Sequence, residues 1–243
     1  MKKVCELNPG TIFNYAKKKF VVLGKRRGGV LCLLAQSEKD AAFYDGNEKP
    51  YNDYRKSDLR KRIEGTFLEE LFQNGARKED LVPFDLNLRE TDGSEGYGVI
   101  EGVLAAPLTL WDYGKYKDII PNNEAGIWWL ATPFCTRSPD ANLSSLVWRV
   151  YSDGDYHFWF YFHTYGVRPA LVLNSSLLVS YEGEEDIDLT KVQNEAFLEE
   201  AKRRWKQGMF TILRRLSPGS YRVWLSSWRV NGLRWPLSRR WQG

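Results

Sequence analysis

The thiols and the imidazoles are scarce side chains in this sequence that could do covalent or metal chemistry. Cys5, Cys32 and Cys135 lie far apart with no CxxC spacing. That predicts neither a disulfide frame nor a zinc site, and it fits reduced thiols in a cytoplasmic setting. Both histidines, His157 and His163, fall in one stretch, VWRVYSDGDYHFWFYFHTYGVRPALVL (Val147 to Leu173), and neither belongs to an HExxH metal motif. The segment GKRRGG (24–29) lacks the GK[ST] ending of a phosphate loop. No catalytic residue, metal or cofactor is therefore predicted. What the long stretch offers is recognition chemistry, because half of the residues from Trp148 to Tyr165 are aromatic. Tyr, Phe and His give large, rigid contact area at low entropic cost, and Tyr adds a hydroxyl.

The elements that must position these rings can be read from pattern. Lys19 to Gln36 reads as a β-hairpin whose second arm is apolar on both faces, which predicts a central strand. Leu59, Ile63, Phe67 and Leu71 recur at helical spacing behind Ser57 as N-cap and Asp58 in the first turn, with Gly65 expected to split the run into two short helices. Leu81 to Leu88 looks extended, Glu90 to Gly98 is a polar loop, and Thr109 caps a helix that stops before Pro121. GIWWLATPF is a strand with Trp128 and Trp129 in the core. Leu146 to Tyr151 and the arm starting at Tyr156 form a hairpin around Ser152 to Asp155, where Asp-Gly favours a tight turn. Gly166 to Val172 closes the sheet, with Gly166 marking a bend or bulge.

Along Tyr156 to Thr164, alternate residues of a strand would face opposite ways. His157, Trp159, Tyr161 and His163 would face one way and Phe158, Phe160 and Phe162 the other; a regular strand would bury one set, so an irregular, loop-like path that displays both is predicted. Asp153 is assigned to the turn itself. Arg168 is interior by pattern and needs a carboxylate or carbonyl partner.

The net charge of +4 divides into +11 over the last 43 residues and −7 over the first 200, since no acidic residue follows Glu200. No apolar run of about 18 residues occurs, so no membrane span is expected. The first residues, MKKVCELNPGTIFNYAKKKF, have no apolar core after the lysines, and no secretory signal is predicted. From Asp188 the pattern turns helical, with Phe197, Ala201, Trp205, Met209 and Ile212 on one face. The sequence after Leu216 is almost restricted to Trp, Arg, Ser, Leu, Gly, Pro and Val. Two readings stand for this tail: a surface for nucleic acid or an anionic membrane, or a poorly ordered segment or shifted reading frame, which is favoured.

Three segments in order carry a family resemblance. YNDYRKSDLRKRIEGTFLEELF resembles a YN…W..S.LR.WLN..F....F pattern, GIWWLATP resembles WWLRSP, and SDGD…YGVRPALVL resembles DG…GVRPAL.L. Together they look like a family of bacterial and phage domains with a C-type-lectin-like fold, in the version used by formylglycine-generating enzymes. The chain departs from the pattern at Ala131 and Thr132, which replace Arg-Ser, and at Arg62, Ile63 and Glu64, which replace Trp-Leu-Asn. The resemblance implies an α+β domain over residues 1–181, with an antiparallel sheet and two helices; the helical, Arg/Trp-rich extension over 182–243 has no counterpart in it and rests on the residue pattern alone. Some members of the group are variable proteins of diversity-generating retroelements, in which adenines of the C-terminal coding segment are randomised to diversify a ligand-binding face.

That implication makes a statement about this sequence. Randomising the adenines of an AAC codon never gives Glu, Lys, Gln, Met or Trp, and from Ala125 to Tyr181 the chain contains no Glu, Lys, Gln or Met. Trp128, Trp129, Trp148 and Trp159 would be fixed scaffold. The variable region would span about 131–165. Its face would comprise Phe134, Thr136, Asn142, Ser144, Tyr151, Ser152, Asp155, Tyr156, His157, Phe158, Phe160, Tyr161, Phe162, His163 and Thr164. The expected function is non-enzymatic binding of a protein or cell-surface ligand, as a phage tail receptor or a bacterial module. The alternative is an oxidase of the formylglycine-generating type. That chemistry needs two neighbouring cysteines on copper, and Cys135 stands alone in the C-terminal half while Cys32 is predicted in a core strand.

Overall fold

The computed structural model describes residues 1–136, 143–181, 210–217 and 220–226. Contacts divide the chain into two units, Met1–Glu182 and Gly183–Gly243. The first unit contains β1 (Lys2–Lys3), β2 (Ile12–Tyr15), β3 (Lys18–Arg26), β4 (Gly29–Leu34), β5 (Glu38–Ala42), β6 (Phe84–Asn87), β7 (Val99–Val103) and β8 (Ala105–Pro107). These are followed by β9 (Trp128–Pro133), β10 (Leu146–Val150), β11 (Tyr156–Phe160), β12 (Thr164–Val167), β13 (Pro169–Asn174) and β14 (Leu178–Tyr181). Seven strands form one sheet in the order β1-β14-β2-β3-β4-β13-β8, and five form another in the order β11-β10-β9-β12-β5. β6 and β7 pair separately. The pairings are antiparallel except that of β12 with β9, which meet in parallel at Gly166 and Trp128. The architecture is thus α+β with mostly antiparallel sheets.

The hairpin predicted over 19–36 is β3–β4, and β4 lies between β3 and β13 with every residue buried. Its alternation feeds two apolar clusters. Val30, Cys32 and Leu34 join Phe20, Val22, Leu171 and Leu173 in one, while Leu31 and Leu33 join Val21, Leu23 and Val172 in the other. A strand covered on both faces has no polar side to show, which is why it reads as a continuous apolar run. β9 does the same with its tryptophans: Trp129 packs in the first cluster and Trp128 in the second.

The helical spacing of Leu59, Ile63, Phe67 and Leu71 buries all four. Ser57 caps this run by accepting from the Arg60 N–H at 3.0 Å. Gly65 does not split it into two helices. α1 (Asp58–Arg62) passes through a π turn (Ile63–Phe67) directly into α2 (Leu68–Gln73). A glycine tolerates the wider turn, and the helix absorbs the extra residue instead of ending. α3 (Leu110–Tyr116) starts where Thr109 accepts from the Asp112 N–H at 3.0 Å, as its sequence predicts.

The GVRP segment does more than close a sheet. Gly166 and Val167 belong to β12 in the five-stranded sheet, whereas Pro169 opens β13 in the seven-stranded one. The register of β12 against β5 slips between Tyr165 and Val167, the bulge that Gly166 was expected to mark. A Cβ on Gly166 would lie 2.3 Å from Ser37 Oγ and 2.6 Å from its Cβ, so close approach of the chain requires glycine there.

In the second unit, β15 (Phe210–Ser217) pairs antiparallel with β16 (Ser220–Ser226). The helix predicted through Ile212 is therefore corrected at that end, where Ile212 is in register with Trp224 across the strand pair. The β-branched and aromatic composition of these two runs favours strand over helix. The rest of that predicted helix, residues 182–209, lies outside the described residues. Among the described residues, no helix is long and apolar enough to cross a membrane.

Candidate functional site

Among the described residues, β11 is the outer strand of the five-stranded sheet and pairs only with β10, in the register Val150↔Tyr156 through Leu146↔Phe160. The SDGD turn joins them: Tyr151 N–H donates to the Asp155 carbonyl at 2.7 Å, and Gly154 supplies φ +94°. The Asp155 N–H donates to Asp153 Oδ1 at 3.0 Å, so Asp153 shapes the turn as its sequence position suggests.

The loop-like path expected for Tyr156 to Thr164 is corrected to a regular strand followed by a turn at 161–163. A regular strand can display both sets of side chains here because it is an edge strand and neither set is fully covered. On one side, Tyr156 packs against Tyr113 and Trp148, with ring centroids 6.0 and 5.8 Å apart. Phe158 meets Trp148 at 5.5 Å and Phe134 at 4.1 Å on that same side. On the other side, the Arg149 guanidinium lies 4.9, 4.7 and 4.6 Å from the rings of Tyr151, Trp159 and Tyr165. Arg149 donates to both phenol oxygens, at 2.9 Å for Tyr151, yet among the described residues its Nε has no partner. It is 5% exposed, so the rings and hydroxyls substitute for water around a buried cation. Burial also pushes the Tyr165 hydroxyl up, against the opposing pull of Arg149.

Past the strand, Phe162 stacks on Phe160 at 5.6 Å and on His163 at 4.8 Å. Tyr161 stacks face to face on Tyr51 at 4.6 Å and 5°. Burial, followed by the neighbouring Tyr51 and Tyr44, pushes the Tyr161 hydroxyl up.

Of the residues predicted for the face, Ser152, Asp155, Tyr156, His157, Phe162 and Thr164 are exposed. Phe134, Thr136, Ser144, Tyr151, Phe158, Phe160, Tyr161 and His163 are half-buried. Thr136 donates to the buried Glu90 carboxylate, and Asn142 lies outside the described residues. The surrounding region is less uniform than the span 131–165 suggests: Ala131, Thr132, Leu146, Val147, Arg149 and Val150 are buried.

Trp128 and Trp129 are scaffold, at 1% and 0% exposure. Trp159 is not. It is 38% exposed and forms part of the display surface beside Arg149. Arg149, Tyr51 and Tyr113 carry no local signal of their own, since only the tertiary pairing brings them to the face.

Arg168 is 1% exposed. It donates from Nε to the Leu34 carbonyl at 2.8 Å and from Nη2 to those of Ala35 and Pro121 at 2.7 and 3.1 Å. Carbonyls, not an ion pair, therefore hold it among the described residues. Of the thiols, Cys32 is wholly buried and burial pushes it up, while Cys135 is half-buried and its carbonyl accepts from Asn52 at 2.9 Å.

Fold and face together define an α+β domain with an exposed aromatic surface on the edge of its five-stranded sheet. Compared with known protein families, curated proteins and solved structures, the chain matches none of them.

Proposed function

We propose that the chain acts by binding and not by catalysis, as the variable protein of a diversity-generating retroelement on a C-type-lectin-like frame. It presents the surface around β11 to a protein or cell-surface ligand. The observation that carries this reading is that none of the face residues within the described structure is buried, whereas the neighbouring Trp128, Trp129, Val167 and Arg168 all are. Exposed positions exchange side chains at little cost in stability, while buried ones do not. The absence of Glu, Lys, Gln and Met from Ala125 to Tyr181 supports the same reading, because a merely exposed surface would be expected to use Lys and Glu.

The experiment is a search of the DNA around the coding region for a near-copy of the segment encoding Ala131 to Leu171, differing from it at adenines. A copy with that signature is expected. Complete flanking sequence without one sinks the diversification reading.

A further inference from the structure

A cavity of about 220 Å³ opens beside the SDGD turn, and both signs of charge line it, with Lys117 and Arg168 as its cations. Arg168 and Trp128, each 1% exposed, line it. The Trp128 ring lies 4.9 Å from the guanidinium carbon. The hydrogen bonds of Arg168 run from Nε and Nη2 to three carbonyl oxygens. Its Nη1 donates to no described protein atom, and the residue lines the cavity.

Burial lowers the affinity of this guanidinium for its proton to about 10, which leaves it charged at neutral pH. Three carbonyl dipoles and the Trp128 ring surround this cation, and among the described residues no carboxylate forms an ion pair with it. Carboxylates also line the cavity, Asp153 and Asp155 from the turn and Asp118 from the facing segment. Tyr113, whose hydroxyl donates to the Gly154 carbonyl, feels both Arg168 and the two turn aspartates. Among the described residues, no three His, Cys, Asp or Glu side chains converge as a metal site would require.

We propose that this cavity binds a small amino-carboxylate, its carboxylate on Arg168 and its ammonium facing Asp153 and Asp155. A carboxylate on Nη1 gains a charge-assisted hydrogen bond and supplies a counter-charge. The ammonium completes the pairing against the aspartates. Size agrees: an engineered cavity of about 150 Å³ holds benzene, so this one admits a short aliphatic zwitterion. The proposal shares Tyr151 and Asp155 with the aromatic face but does not depend on that face being diversified or on what it binds.

The test is ligand-observed NMR titration of the full chain with 4-aminobutyrate, butyrate and butylamine. The expected result is binding of 4-aminobutyrate with a dissociation constant on the order of 1 mM or tighter, and at least about tenfold weaker binding of the two singly charged probes. Asp153→Asn with Asp155→Asn, on an exposed turn, is expected to weaken 4-aminobutyrate to the level of butyrate and leave butyrate unchanged. Arg168→Lys, checked for folding by thermal melting, is expected to weaken butyrate; the aspartate variant decides the matter if the lysine variant does not fold. Equal affinity for all three probes, no saturation by 4-aminobutyrate at about tenfold the expected constant, or an unchanged affinity in the aspartate variant overturns the proposal. None of these outcomes touches the test of the retroelement reading, which is made on DNA.

Discussion

Replacing Phe162 by Ser tests whether the face is energetically separable from the core. Phe162 is 54% exposed, and the rings it contacts are Phe160, Tyr161 and His163, themselves members of the face. A fully covered aromatic side chain removes roughly 200 Å² from water. A little under half is covered here, which at roughly 25 cal/mol per Å² is about 2 kcal/mol. That is an upper figure, because the unfolded chain already covers part of the ring. Phe162→Ser should therefore cost about 1–2 kcal/mol. Trp129→Ala, at 0% exposure between Phe43 and Tyr165, should cost about 3–5 kcal/mol. Urea unfolding followed by backbone circular dichroism compares the two, and the slope with denaturant should not change in the Phe162 variant. A Phe162→Ser loss as large as that of Trp129→Ala would mean that the surface rings hold the fold together, and separability would be refuted.

Five further substitutions, at Gly166, Ser37, Arg149 and Asp80, probe the frame. Gly166→Ala should cost about 2–3 kcal/mol, since its Cβ meets Ser37 and the Ile127 carbonyl at 3.1 Å, and Ser37→Gly in the same chain should recover part of the loss in a thermal melt. Arg149→Met exchanges two phenol hydrogen bonds for relief of an unpartnered Nε and a buried charge, so its stability should stay within about 1 kcal/mol of the parent. Arg149→Ala leaves a void and should lose about 3 kcal/mol; equal losses in the two variants would contradict this account. Burial pushes the Asp80 carboxyl up, but bonds from the Arg77 side chain and backbone and from Tyr15 outweigh it and hold the carboxyl below the usual range. Its contribution is thus present above the unfolded value near 4 and is lost as pH falls through the lower folded value. In urea titrations, Asp80→Asn should cost about 2 kcal/mol at pH 7, with the difference from the parent vanishing in strong acid.

The sequence by itself determined the local elements wherever one physical preference dominated. The doubly apolar run Val30–Leu34 could be satisfied only by a strand covered on both sides, and the Ser57 and Thr109 hydroxyls marked helix starts because few other residues satisfy free N–H groups there. It also singled out the chemically mixed stretch from Tyr151 to Thr164 as surface, since no core would mix His, Asp and Phe in that way.

Tertiary structure alone decided how that stretch is displayed. A strand with no clean alternation looks irregular in sequence, and only the knowledge that β11 stands at a sheet edge explains how a regular strand can show both of its sides. Arg149 gains meaning only when Tyr151, Trp159 and Tyr165 converge on it from three parts of the five-stranded sheet. Gly65 illustrates the same limit at short range. Intrinsic propensity says break, but burial of Ile63 and Phe67 on either side outweighs it and draws the helix through a wider turn. Local propensities are worth tenths of a kcal/mol to about one, whereas burying a large side chain is worth two or three, so long-range packing decides wherever the two disagree.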